Sequence, residues 1–138
     1  MKQILQVSIL ILLLFSASYA NVYQKIKQIS LKKDEQKKIL VKYANNKRLF
    51  KFRWTLYVNK ALVVFHSYGN KEQQNVLYLN NQNQSFVVKL KSKGAEVYGV
   101  PRFLIKFKKF DFKLNTAIFE LYLADKKSQI GMEYLKNE

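Results

Sequence analysis

The chain has 138 residues, with 25 lysines and arginines against nine acids, one histidine and no cysteine, for a formal net charge of +16. The lack of cysteine excludes a disulfide framework, a thiolate metal centre and a cysteine-linked lipid anchor. The positive charge favours anionic surfaces, although lysines spread along every segment also serve solubility and edge protection.

Residues 1–20, MKQILQVSILILLLFSASYA, have the form of a secretory signal helix. Lys2 gives the positive start, Ile4 to Phe15 is mainly apolar, and Ser18-Tyr19-Ala20 places small residues at a cleavage site. A spanning helix needs about 18–20 apolar residues, more than this run supplies. The expectation is export and cleavage after Ala20, with residues 21–138 as a single β domain in the periplasm, secreted or at the surface.

Residues 21–28 read as a short helix or a loose arm. Residues 29–33 and 37–44 then read as a hairpin around Asp34-Glu35-Gln36, pairing Leu31 with Ile39. A helix over residues 34–44 competes, but Ile39, Val41 and Tyr43 alternate as strand residues do. Asn45-Asn46 is the next expected turn, because asparagine tolerates the left-handed backbone of a tight hairpin. It would pair Val41 with Phe50 and Ile39 with Phe52.

The segment KRLFKFRWTLYVNKALVVFHSY, residues 47–68, is the clearest hairpin. Phe50, Phe52, Trp54, Leu56 and Val58 alternate, so they share one face. A turn at Asn59-Lys60 pairs Leu56 with Val63 and Trp54 with Phe65 on that face. It puts Lys51, Arg53, Tyr57, Leu62, Val64 and His66 on the other face, with Arg53 opposite His66.

Residues 69–74 read as a polar loop. Strands follow at 76–79 and 86–90, then a short stretch at 95–100 before Pro101, which has no N–H for a ladder. Residues 102–110 and 116–124 form the second clear hairpin, pairing Phe107 with Phe119, Ile105 with Leu121, Phe103 with Leu123 and Lys106 with Glu120. A last strand is expected over residues 130–135. The result is an all-β fold: an antiparallel meander of eight or nine short strands, forming a small barrel or a two-layer sandwich.

No motif for catalysis, nucleotide binding or metal ligation is present, and no cofactor is expected. His66 lacks a carboxylate partner to orient it as a general base, and reads as a partly exposed strand residue. Glu96, Glu120 and Glu133 could act as paired hydrolytic acids only if the fold brought two of them across one cleft. Asn83-Gln84-Ser85 matches a glycosylation sequon. Nucleic acid is not an expected partner of an exported chain.

The first functional expectation is therefore a non-enzymatic cell-envelope domain. It would bind an anionic lipid or other amphiphile, a glycan or an acidic protein, with peripheral membrane contact, through Lys51, Arg53, Tyr57, His66, Lys106 and Lys108. The alternative is an assembly subunit whose outward apolar residues (Leu40, Leu49, Tyr57, Leu62, Val64, Leu104 and Tyr122) form a protein interface. A small hydrolase is the third reading. Oligomeric state is left open.

Overall fold

A computed structural model describes residues 23–79, 82–90 and 100–137. The expected signal segment and most of the 95–100 stretch lie outside them; Val100 is described and buried. Nine strands are present: β1 Gln24–Lys32, β2 Lys37–Tyr43, β3 Asn46–Val58, β4 Ala61–Tyr68, β5 Glu72–Tyr78, β6 Ser85–Lys89, β7 Arg102–Asp111, β8 Thr116–Ala124 and β9 Gly131–Tyr134. No helix occurs among the described residues. The strands form two antiparallel sheets, ordered β1-β8-β7-β6 and β5-β4-β3-β2-β9, stacked as a sandwich rather than closed as a barrel.

Aromatic side chains join the layers. Phe50 meets Phe103 at a ring separation of 5.3 Å, Phe52 meets Phe119 edge-on at 5.3 Å, and Trp54 meets Phe110 edge-on at 5.4 Å. Offset and edge-to-face rings add to the gain from their apolar burial. Leu31, Ile39, Val41, Leu62, Val64, Ile105 and Leu121 complete a core from both sheets.

β3 departs from a simple alternation. Its ladder with β4 skips Thr55, so Trp54 pairs with Val64 and Leu56 with Val63. One extra residue reverses the facing of everything beyond it. Phe50, Phe52 and Trp54 point inward as expected, but Leu56 and Val58 turn out and are 49% exposed. Tyr57 turns in and stacks on Phe110 at 4.2 Å. On β4, Leu62, Val64 and His66 are buried, where the bulge-free register placed them outside. Two bonds hold the bulge: Trp54 Nε1 donates to Leu31 O at 2.7 Å, and Asp34 N donates to Trp54 O at 2.9 Å.

Three further registers differ from expectation. β1 does not pair with β2; it runs to residue 24 and pairs with β8, so the turn after Lys32 crosses between sheets. Alternation fixes which face is apolar but not which neighbour a strand takes. The β2–β3 turn is Ala44-Asn45, both at positive φ, and pairs Ile39 with Phe50. That is a two-residue slip, which preserves the facing and is invisible to a hydrophobic pattern. β5 starts at Glu72, inside the expected loop, because it adds to the edge of β4. The β7–β8 pairs are as expected up to Phe107, where a second bulge at Lys108 shifts the rest.

The four turns leaving β1, β3, β5 and β7 lie at one end of the sandwich. The C-terminal ends of β2, β4, β6 and β8 lie at the other.

The bulge makes a stability prediction. Leu62→Ala should lower the free energy of urea unfolding by about 2–5 kcal/mol, whereas Leu56→Ala should change it by about 0.5 kcal/mol or less. The reverse order would contradict the register at Thr55.

Candidate functional site

The inward face is mostly apolar, and one corner of it is polar. There Arg48 on β3, His66 and Tyr68 on β4, and Gln73 and Asn75 on β5 occupy positions that face the opposite sheet. The inward direction follows from the ladder: Phe52 pairs with His66, Phe50 with Tyr68, and Val64 with Asn75. Polar groups inside a sandwich are tolerated only when bonded or solvated. Here the two sheets part over β6, leaving a cleft of about 450 Å³ lined by Arg48, His66, Tyr68, Lys71, Gln73 and Lys89, with Val87 and Val88 on its β6 side.

The cleft's polar groups are held in place. His66 is 6% exposed, stacks on Phe86 at 4.2 Å, and bonds through Nε2 to Asn75 Oδ1. With the amide oxygen accepting, Nε2 carries the proton and Nδ1 keeps a lone pair. Arg48 lies over the Tyr68 ring, 5.2 Å from its centroid, a geometry that fixes the guanidinium plane. Gly69, at φ +85°, turns the chain beside Arg48, where a side chain would be strained. Lys71 follows in this turn, and Lys89 reaches the cleft from β6.

The electrostatics are one-sided. Three cations line the cleft, and among the described residues no carboxylate does. Burial pushes the His66 imidazolium to a lower pKa than the usual histidine value, and the Asn75 bond offsets this in part. Burial also raises the Tyr68 phenol, while the nearby Arg48 guanidinium works against that rise. Such a site suits an anionic group taking charge-assisted bonds from several donors.

The six residues singled out from the sequence do not form one surface. Lys51 and Arg53 stand on the outer face of the five-stranded sheet, and Lys106 on the outer face of the four-stranded one. Arg53 is engaged with Asp34 at 3.7 Å and Glu72 at 3.8 Å, and lies over Phe65. Lys108 sits in the β7 bulge and reaches Gln28 Oε1 at 3.5 Å. Tyr57 is inside, stacked on Phe110. Only His66 belongs to the cleft, and it is buried rather than partly exposed.

Glu120 lies directly across from Lys106, but its ion pair is with Lys25, at 2.8 Å, and it accepts from Tyr122 at 3.1 Å. The Lys25 ammonium holds its carboxyl below the usual glutamate range. Glu133 pairs with Leu40 on the outside of the other sheet. Glu120 and Glu133 therefore do not flank a common cleft, and Glu96 falls outside the described residues. Asn83 is exposed in the β5–β6 connection. Among the described residues no cluster of three metal-ligating side chains occurs, and no helix is long and apolar enough to cross a membrane.

The sequence held a partial signal for the cleft. Arg48 is the charged member of the alternating series Arg48, Phe50, Phe52, Trp54, and Gln73 and Asn75 precede Leu77 in another. Comparison with known proteins finds no matching family model, no similar curated protein and no similar solved structure.

A lowered histidine pKa makes folding sensitive to acid. The unfolded chain takes up the proton near the ordinary value of 6.5, while the folded chain resists it. Stability conferred by neutral His66 is complete above that pH and declines as the pH falls below it. The urea midpoint should therefore drop from pH 7 to pH 5 in the wild type and drop less in His66→Gln. Equal drops would contradict a buried neutral imidazole.

Proposed function

We propose that the chain is an exported, non-catalytic domain of the cell envelope that binds an anionic group in the cleft between β4–β5 and β6. The group belongs to an amphiphile, a glycan or an acidic protein. One observation carries this reading: Arg48, Lys71 and Lys89 all line one polar cleft beside the His66 and Tyr68 rings. On the outer faces some basic side chains are matched, as Lys25 is with Glu120 and Arg53 with Asp34 and Glu72. Exposed pairs of that kind contribute about 0–1 kcal/mol each and serve mainly to offset charge. Cations gathered in one cleft repel one another, so an anion that joins them relieves that repulsion as well as forming bonds. The His66 imidazole bonds to the Asn75 amide rather than to an orienting carboxylate, which supports binding rather than catalysis.

The alternative of an assembly subunit rests on different residues from those first read as outward. Leu62 and Val64 are core. Rows formed by Leu56, Val63 and Val76, and by Val58, Ala61 and Tyr78, make an apolar strip on the outer face of the five-stranded sheet. On that reading the strip joins two copies, and sedimentation should show a dimer that Val58→Asp and Val76→Asp dissociate.

For the anion-binding reading, inorganic polyphosphate serves as the probe. Its affinity should fall steeply as salt rises from about 0.05 to about 0.5 M, because screening shortens the reach of the cations. Lys71→Gln with Lys89→Gln should weaken binding by about tenfold or more, equivalent to about 1.4 kcal/mol, while Lys106→Gln changes it by less than about twofold. Equal effects at Lys106 and in the cleft would contradict a localised site.

A further inference from the structure

The end of the sandwich opposite the cleft has a different character. Phe112 and Leu114, in the loop between β7 and β8, are 78% and 68% exposed, more than any other large apolar side chain described. The loop holding them is braced. Asp111 Oδ1 accepts from Lys113 N at 3.0 Å and from Leu114 N at 3.2 Å. The Phe112 ring rests against Phe110 at 5.0 Å and Tyr57 at 6.0 Å. Leu56, from the neighbouring β3–β4 hairpin, and Phe112 border a shared groove of about 310 Å³.

We propose that this end docks on the surface of an anionic lipid bilayer, inserting Phe112 and Leu114 among the headgroups. Lys113 stands between them in sequence, and Lys109, Lys60, Lys32 and Lys33 lie on the strand ends and turns at this end, Lys33 bordering the same groove. Among the described residues, the three carboxylates at this end have partners: Asp34 pairs with Arg53, Glu35 accepts from Lys32 N and Asn137, and Asp111 braces the loop. Apolar tips ringed by lysine match the layered chemistry of the bilayer interface, where aromatic and aliphatic groups lie beneath anionic headgroups. The bracing means that little loop entropy is lost on insertion. A protein partner needs about 800 Å² of complementary surface on each side, whereas these side chains stand on separate turns. A free anion would leave Phe112 and Leu114 in water.

This inference goes beyond the anion-binding reading and does not depend on it. Docking by this end turns the cationic cleft away from the bilayer, toward whatever the adjoining compartment holds.

The experiment uses the chain beginning at Asn21, because every described core residue lies between positions 29 and 124. It is sedimented with phosphatidylcholine vesicles, with and without phosphatidylglycerol. The wild type should bind the anionic vesicles. Phe112→Ser with Leu114→Ser should lose tenfold or more in partition while keeping the same net charge, so that the loss reports insertion. Lys71→Gln with Lys89→Gln should bind vesicles within twofold of the corresponding loss at Lys106→Gln, separating this site from the cleft. As a second measure, Phe112→Trp should show blue-shifted fluorescence on vesicles against the buried Trp54 background. Equal binding by wild type and the serine variant, an unshifted tryptophan, or a wild-type dimer abolished by the serine variant would each overturn the proposal.

Discussion

The extra residue at Thr55 decides what lies inside this protein. Before it, β3 presents Phe50, Phe52 and Trp54 to the core; after it, Tyr57 turns in while Leu56 and Val58 turn out. β4 must follow the same ladder, so Leu62, Val64, His66 and Tyr68 line the interior. β5 follows β4 in turn and brings Gln73 and Asn75 inward. The cleft therefore inherits its polar lining from a single bulge two strands away. Trp54 secures that bulge to the β1–β2 crossover through Leu31 O, so the link between the sheets and the reversal of facing are one feature. A bonded indole N–H in the core meets the requirement that buried donors be satisfied.

The distribution of charge follows from the same geometry. Lysines on outer strand positions extend over both faces and find local acids where these exist, as Lys42 does with Glu133 and Lys25 with Glu120. With nine acids for 25 basic residues, most cations have no such partner to find. What distinguishes the cleft is therefore placement rather than charge alone: Arg48 occupies an inward position that apolar residues hold elsewhere on β3. Arg48 there lies over the Tyr68 ring and borders the cleft, and a position that breaks the local pattern is where function is sought.

Much of the architecture was legible in the sequence. The hairpin of β7 and β8 was readable pair by pair as far as Phe107, because Phe103, Ile105 and Phe107 alternate cleanly against Leu123, Leu121 and Phe119; the bulge at Lys108 was not. The turn at Asn59-Lys60 was also readable, since both residues adopt the positive φ that a tight hairpin demands. The bulge at Thr55 was not. An alternation of Trp54, Leu56 and Val58 continues without a break, and only Tyr57, Leu62 and Val64 on the supposed outer face hinted that inside and outside had been exchanged. Partner choice was also hidden. β1 and β2 satisfy each other's pattern as a hairpin, yet the gain comes from spreading them over two sheets, where both bury their apolar faces against the opposite layer. The candidate binding residues were scattered for the same reason: Lys51 and Lys106, grouped in one expected surface, lie on opposite outer faces.

The central claim is that an anion is received in the polar corner that the Thr55 bulge creates, rather than by diffuse surface charge. Backbone amide shifts of the isotopically labelled chain, followed by NMR during titration with short-chain polyphosphate, test it most directly. The account predicts saturable changes centred on Arg48, His66, Gly69, Lys71 and Lys89. Changes that fail to saturate, or that centre on Lys51, Arg53 and Lys106, would contradict it.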